Sequence, residues 1–137
     1  MNKKTDIKLL PNVLPIFPLP GAIVLPNGTL PLNIFEPRYI SMIESVLGSH
    51  RMIGMIQPLN NEGSQKLLYP IGCAAKIISF SETSDNRYLI ELKGLIRFKI
   101  IKELEVTHGF RNIEPNWKLF EEDFSLNFNN INISKLL

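Results

Sequence analysis

Seven of the ten prolines in this 137-residue chain fall before residue 38, and they cut its first third into apolar runs too short for a long helix. Those runs are Val13-Leu14, Ile16-Phe17, Ala22-Ile23-Val24-Leu25 and Leu30-Pro31-Leu32. Proline lacks a backbone donor and clashes with a preceding helical turn, so this region is confined to short strands and turns, with proline at edges or strand ends. Pro26-Asn27-Gly28-Thr29 reads as a turn, since Asn and Gly accept positive φ. At Pro37 the period changes. Tyr39, Ile40, Ile43, Val46 and Leu47 follow helical spacing, Pro37 suits a first helical position, and Gly48 is expected to end the helix in a left-handed cap. Glu36 lies at the positive end of that helix, where Arg38 is placed to pair with it. The corner from Leu30 to Tyr39 reads first as a fold-defining junction between strand and helix rather than a ligand site.

Beyond the helix the period returns to two. Arg51 to Gln57 carries apolar or small residues on both faces, Met52-Gly54-Ile56 and Ile53-Met55, which implies a strand covered on both sides. Pro58 to Lys66 is a polar loop with turn signals at Asn60 to Ser64. Gly72 to Phe80 and Arg87 to Lys93 read as a hairpin around Glu82 to Asn86. Gly94 interrupts a run that continues to Ile101, with Ile96, Phe98 and Ile100 inward and Arg97 and Lys99 outward. A glycine there implies a bend, a bulge or a positive φ, as a strand turning a barrel corner requires. Thr107 to Ile113 is expected as the last strand, with Glu114 to Trp117 leaving the sheet. Asn132 or Ser134 then caps a helix that the chain enters for less than a turn. The pattern predicts a mainly β, α+β domain: a curved, mostly antiparallel sheet with one packed helix.

The chemistry that is missing narrows the function. Neither G-x-x-x-x-G-K-S/T nor G-x-G-x-x-G occurs, so no nucleotide phosphate has its usual backbone cradle, and there is no G-x-S-x-G elbow. Cys73, the single cysteine, sits in the apolar run Ile71 to Ala75 and reads as core, not as nucleophile or metal ligand. His50 and His108 are isolated and read as solvated turn residues. Glu121, Glu122 and Asp123 are consecutive, so they point apart and read as solvated carboxylates. The formal net charge is +2, and the basic residues are scattered. Arg87, Arg97 and Arg111 with Tyr88 and Phe110 can be drawn as a basic and aromatic RNA surface, but alternating basic residues on the wet face of a barrel give the same pattern. No run of eighteen apolar residues exists, and prolines break the N-terminal stretch before a signal-peptide core, so a cytoplasmic protein is expected, with no cofactor and no metal.

Several blocks resemble the Lon protease N-terminal (substrate-binding) domain family, in its stand-alone bacterial form. They are Leu14 to Leu19, Leu30 to Tyr39 with its Glu36-Pro37-Arg38-Tyr39 corner, Arg51 to Pro58, Ile71 to Ala74, and Leu92 to Phe98. The resemblance implies a PUA-like pseudo-barrel of about six antiparallel strands over residues 13–117. It leaves 1–12 as an N-terminal extension and 118–137 as the start of a truncated helical subdomain. It marks Glu36, Pro37, Arg38, Tyr39, Gly54, Gly72 and Gly94 as structural positions. No ATPase or peptidase region accompanies the domain.

Two functions follow as expectations. The first is a non-enzymatic module that binds unfolded or degron-bearing polypeptides in a proteolysis-related role, alongside a protease or chaperone. It needs an apolar groove or an open strand edge. Met52 and Met55 are candidate contacts through their flexible thioethers, and Phe120, Phe124 and Phe128 through their four-residue spacing on a helix. Packing inside the domain is the competing account of all five. The second function, RNA binding, rests on the PUA-like resemblance and the mild positive charge. Nucleic acid is the disfavoured partner.

Overall fold

The computed structural model describes residues 7–59 and 67–124. Phe128, the loop signals at 60–64 and the cap at Asn132 or Ser134 lie outside the described residues. Six strands are present: β1 (Leu14–Pro18), β2 (Thr29–Ile34), β3 (Met52–Ile56), β4 (Ile71–Glu82), β5 (Tyr88–Glu103) and β6 (Arg111–Asn116). One helix, α1 (Pro37–Leu47), joins β2 to β3. The sheet order is β2-β5-β4-β3-β1-β6, and β6 also pairs with β5. Five strands therefore close a ring, and β2 lies outside it along the first half of β5. The pairing is antiparallel except that β1 and β3 run parallel, with Ile16 opposite Gly54. The connection between them contains β2 and α1, the long crossover that parallel neighbours need.

Alternation along the strands feeds two cores. On β3, which is buried throughout, Met52 and Ile56 enter one core and Ile53 and Met55 the other. The first core lies between the sheet and α1, which contributes Tyr39, Met42, Ile43 and Val46. The second fills the ring, with Leu14, Ile16, Ile96, Phe98 and Ile113 at its centre. Strand β5 serves both, and a bulge is the device. Gly94 pairs with Ala75 but Ile96 with Ala74, so Leu95 is an extra residue and the strand turns over between them. Even-numbered residues before the bulge, Ile90 and Leu92, face the first core; those after it, Ile96 and Phe98, face the second.

Gly94 is thus a bend, as the sequence implied, though its φ is not positive. What forbids a side chain is contact: a Cβ would collide with the carbonyl oxygen of Leu25. The turn after Leu25 docks edge-on here, where Asn27 N–H donates to the Gly94 carbonyl at 2.9 Å and Gly94 N–H to the Gly28 carbonyl at 2.8 Å. Gly54 and Gly72 make room inside the ring, since a Cβ at either would press on the Phe98 ring and one at Gly72 would also collide with the Met55 carbonyl oxygen.

Four local expectations are corrected. Ala22 to Leu25 is not a strand but a loop, tied down by Gln57, whose Nε2 donates to the Leu19 and Ala22 carbonyls at 3.1 and 2.9 Å. Gly48 has φ −82°, so it is not a left-handed cap. The turn runs on to Arg51 (φ 60°), whose N–H donates to the Val46 carbonyl at 2.8 Å. Thr107 to Phe110 forms a tight turn with His108 and Gly109 at positive φ. Strand β6 starts later and runs through Pro115, which pairs only with β5, beyond the end of β1. Proline is accepted there because one side carries no strand. Finally, the described part of the N-terminal extension joins the domain: Leu10 is in the second core, and Trp117 Nε1 donates to the Pro11 carbonyl at 2.9 Å.

Candidate functional site

A cleft of about 200 Å³ lies between the loop at Ala22 to Leu25 and the start of β4. Its floor is one row across three strands, because Met55 pairs with Cys73 and Cys73 with Arg97. Gly72, Ile56 and Gln57 complete the lining below the rim. The rim is apolar and open to solvent: Ile23 is 65%, Leu25 64% and Ile71 45% exposed. Other large apolar side chains of the domain are equally exposed, among them Leu9, Phe35 and Leu119; what sets these three apart is that they gather at one cleft.

The polar groups of the cleft are already engaged. The Gln57 amide is consumed by the loop, its Oε1 also accepting from Gly21 N–H at 3.0 Å. Arg97 is the one charged lining residue among the described residues, and Asp123 neutralises it. Arg97 Nε donates to Asp123 Oδ2 at 2.7 Å, Nη2 to Oδ1 at 2.8 Å, and the Arg97 backbone N–H to Oδ2 at 3.1 Å. That backbone N–H lies where β5 passes from β2 to β6, a stretch with no strand on one side, so the carboxylate replaces a missing sheet partner. The hydrogen bond from the Arg97 side chain holds the Asp123 carboxyl below the ordinary carboxylate range. Burial, followed by the Asp123 charge, pushes the Cys73 thiol up to about 12. The thiol is therefore protonated at neutral pH and is no activated nucleophile.

The expected site residues divide. Met55 lies on the cleft floor, whereas Met52 is buried inside the ring and reaches no surface groove. Phe120 and Phe124 do not form an exposed stripe: both pack against the second core, and the Arg97 guanidinium lies 4.6 Å above the Phe120 ring centroid. Asp123 was expected in solvent and is instead buried, as sequence proximity to Glu121 and Glu122 cannot reveal a partner 26 positions away. His50 is not a solvated turn residue either. Its Nδ1 accepts from Met52 N–H at 3.0 Å, and burial lowers its pKa.

At the corner, Pro37 opens α1 and Glu36 is its N-cap, but the Glu36 side chain makes no capping bond. It accepts from Arg38 Nε at 3.2 Å instead, and both side chains are about half exposed. Tyr39 is buried with its ring centroid 4.1 Å from that of Phe17. A smaller hollow of about 140 Å³ runs beside these residues, with Phe35 exposed at its margin.

The groups drawn as an RNA surface are not assembled as one. Tyr88 and Phe110 are buried, and Arg87, Arg97 and Arg111 pair with Asp85, Asp123 and Glu103. The open edge of β2 is also guarded. Gly94 N–H donates to Gly28, and two-residue alternation from that bond turns the backbone of Thr29, Pro31 and Asn33 outward. Pro31 then presents no donor at the centre of the edge, which opposes strand addition.

Comparison with known proteins agrees with this architecture. Residues 13–126 match the family model of the ATP-dependent protease La (LON) substrate-binding domain. Lon protease 2 of Sorangium cellulosum is 32% identical over 90 residues, 63% of this chain and 11% of that protein. The Lon protease of Dictyoglomus thermophilum is 29% identical over 113 residues, 81% of this chain and 14% of that protein. The chain thus spans only a small part of these relatives. A crystal structure of a Lon N-terminal domain protein from Xanthomonas campestris superposes with a TM-score of 0.63 at 25% identity, over 77% of this chain and 59% of that one. The N-terminal domain of a Mycobacterium avium complex Lon protease shares the fold, with a TM-score of 0.60 at 16% identity over 77% of this chain and 54% of that one. With six strands, one packed helix and a matching segment that runs through nearly all the described residues, this chain belongs to the LON substrate-binding domain family.

Proposed function

We propose that this chain is a non-catalytic polypeptide-binding module that takes unfolded or apolar segments into the cleft between Ala22–Leu25 and β4, in a cytoplasmic role tied to proteolysis. The observation that carries the reading is the exposed rim of Ile23, Leu25 and Ile71 above a floor with no unpaired charge. Such a surface suits side chains of varied apolar shape and selects poorly among them. Family membership supports the same role, and the proline at the β2 edge favours groove binding over strand addition. The protonated, buried Cys73 supports binding without chemistry. Among the described residues no helix is long and apolar enough to cross a membrane. Glu36, Arg38 and Tyr39 serve the fold of the corner in this reading.

A cleft this small implies weak binding, micromolar or poorer. The test is a titration of a denatured protein and a structured RNA at low and high salt. Peptide binding that changes little with salt and drops about tenfold in Ile23→Asp, at unchanged melting temperature, supports the proposal. Salt-sensitive RNA binding without peptide binding overturns it.

A further inference from the structure

Arg97 belongs to two places at once. It ends the floor row of the cleft, and it lines a second hollow formed with Lys118 to Asp123. That segment, a 3₁₀ turn at Lys118–Phe120 followed by helical residues 121–124, crosses the ring at the gap between β2 and β6. Its hold on the barrel has a charged part and an apolar part. The charged part is the bidentate pair of Arg97 with Asp123, whose side chain is 8% exposed. The apolar part is the packing of Phe120 and Phe124 on the second core, with the guanidinium stacked on Phe120. A planar guanidinium held by two parallel bonds and a ring face has one orientation, not a swarm of rotamers.

We infer that residues 118–124 form a latch that governs the cleft, with Arg97 as the shared part: docked, the segment holds Arg97 in place as the end wall beside Cys73; released, it frees that wall and opens the floor. The biological meaning of the latch rests on the peptide-binding reading, since it would let whatever lies C-terminal to the domain report or control occupancy. By linkage, any factor by which release changes peptide affinity is the factor by which peptide changes release.

Cys73 supplies a readout that needs no peptide, because it is the single thiol, it is buried, and it is the direct cross-strand neighbour of Arg97. The experiment is the labelling rate of Cys73 by a disulfide reagent in the whole chain, under conditions in which every variant is folded. Asp123→Asn is compared with Ile34→Val, a variant in the first core on β2 that lowers global stability away from the second core on which Phe120 and Phe124 pack. Arg97→Lys, which keeps the charge but loses the planar fork, repeats the test should Asp123→Asn not fold. The inference expects labelling at least tenfold faster in the latch variant than in Ile34→Val brought to equal stability with denaturant. Equal rates at equal stability overturn it. Absence of protection of Cys73 by an apolar peptide counts against the proposed function alone, while the rate comparison still decides the latch.

Discussion

Single residues in this domain are constrained by close approach more than by surface charge. The Glu36–Arg38 pair is half exposed, and exposed pairs contribute at most about 1 kcal/mol. Arg38→Ala should therefore lower stability by about 0.5 kcal/mol in a denaturant melt and leave peptide affinity unchanged. Gly94→Val is the opposite case. Valine favours strands, yet its Cβ would drive into the Leu25 carbonyl, so a loss of about 2–3 kcal/mol is expected in the same measurement. Asp123 adds a pH signature. Its folded pKa is depressed, so its contribution is complete above the ordinary carboxylate value and is lost as pH falls through the lower folded value. Acid titration of stability should be shallower below about pH 4 in Asp123→Asn than in the wild type.

At the level of elements, β5 carries the architecture because its bulge places one alternating run in two cores. Phe98 fills the ring between Gly54 and Gly72, and Phe98→Ala should cost about 3–5 kcal/mol by calorimetry. Much of this was legible from local pattern. The two apolar faces of β3, the hairpin of β4 and β5, the helix from Pro37 and the bend at Gly94 each depend on residues near in sequence. The failures are equally physical. Gly48 looked like a cap, but the place where the chain needs positive φ is Arg51, set by the approach to β3. The cleft was not legible, because its floor row is defined by register among three strands. Nor was the Arg97–Asp123 pair, since an acidic triplet shows only its neighbours and not the unpaired strand position that draws Asp123 in.

For the whole molecule, the two cores share β1, β3, β4 and β5, so neither can open without exposing the other. Thermal unfolding should be a single transition with equal calorimetric and van't Hoff enthalpies, and the slowest amide exchange should lie on the middle of β4 and β5. Two separate transitions would show the cores to be independent. The closing of the ring has a consequence for synthesis. Leu14 of β1 pairs with Ile113 of β6, from opposite ends of the matched region, and β1 lies beside β3 only after β2 and α1 have been laid down. A nascent chain leaving the ribosome therefore holds its first strand without either neighbour until β3 emerges, and without its second neighbour until β6 does. A domain that we propose receives unfolded segments spends its own early life as one, and its folding completes only when nearly the whole described chain has emerged.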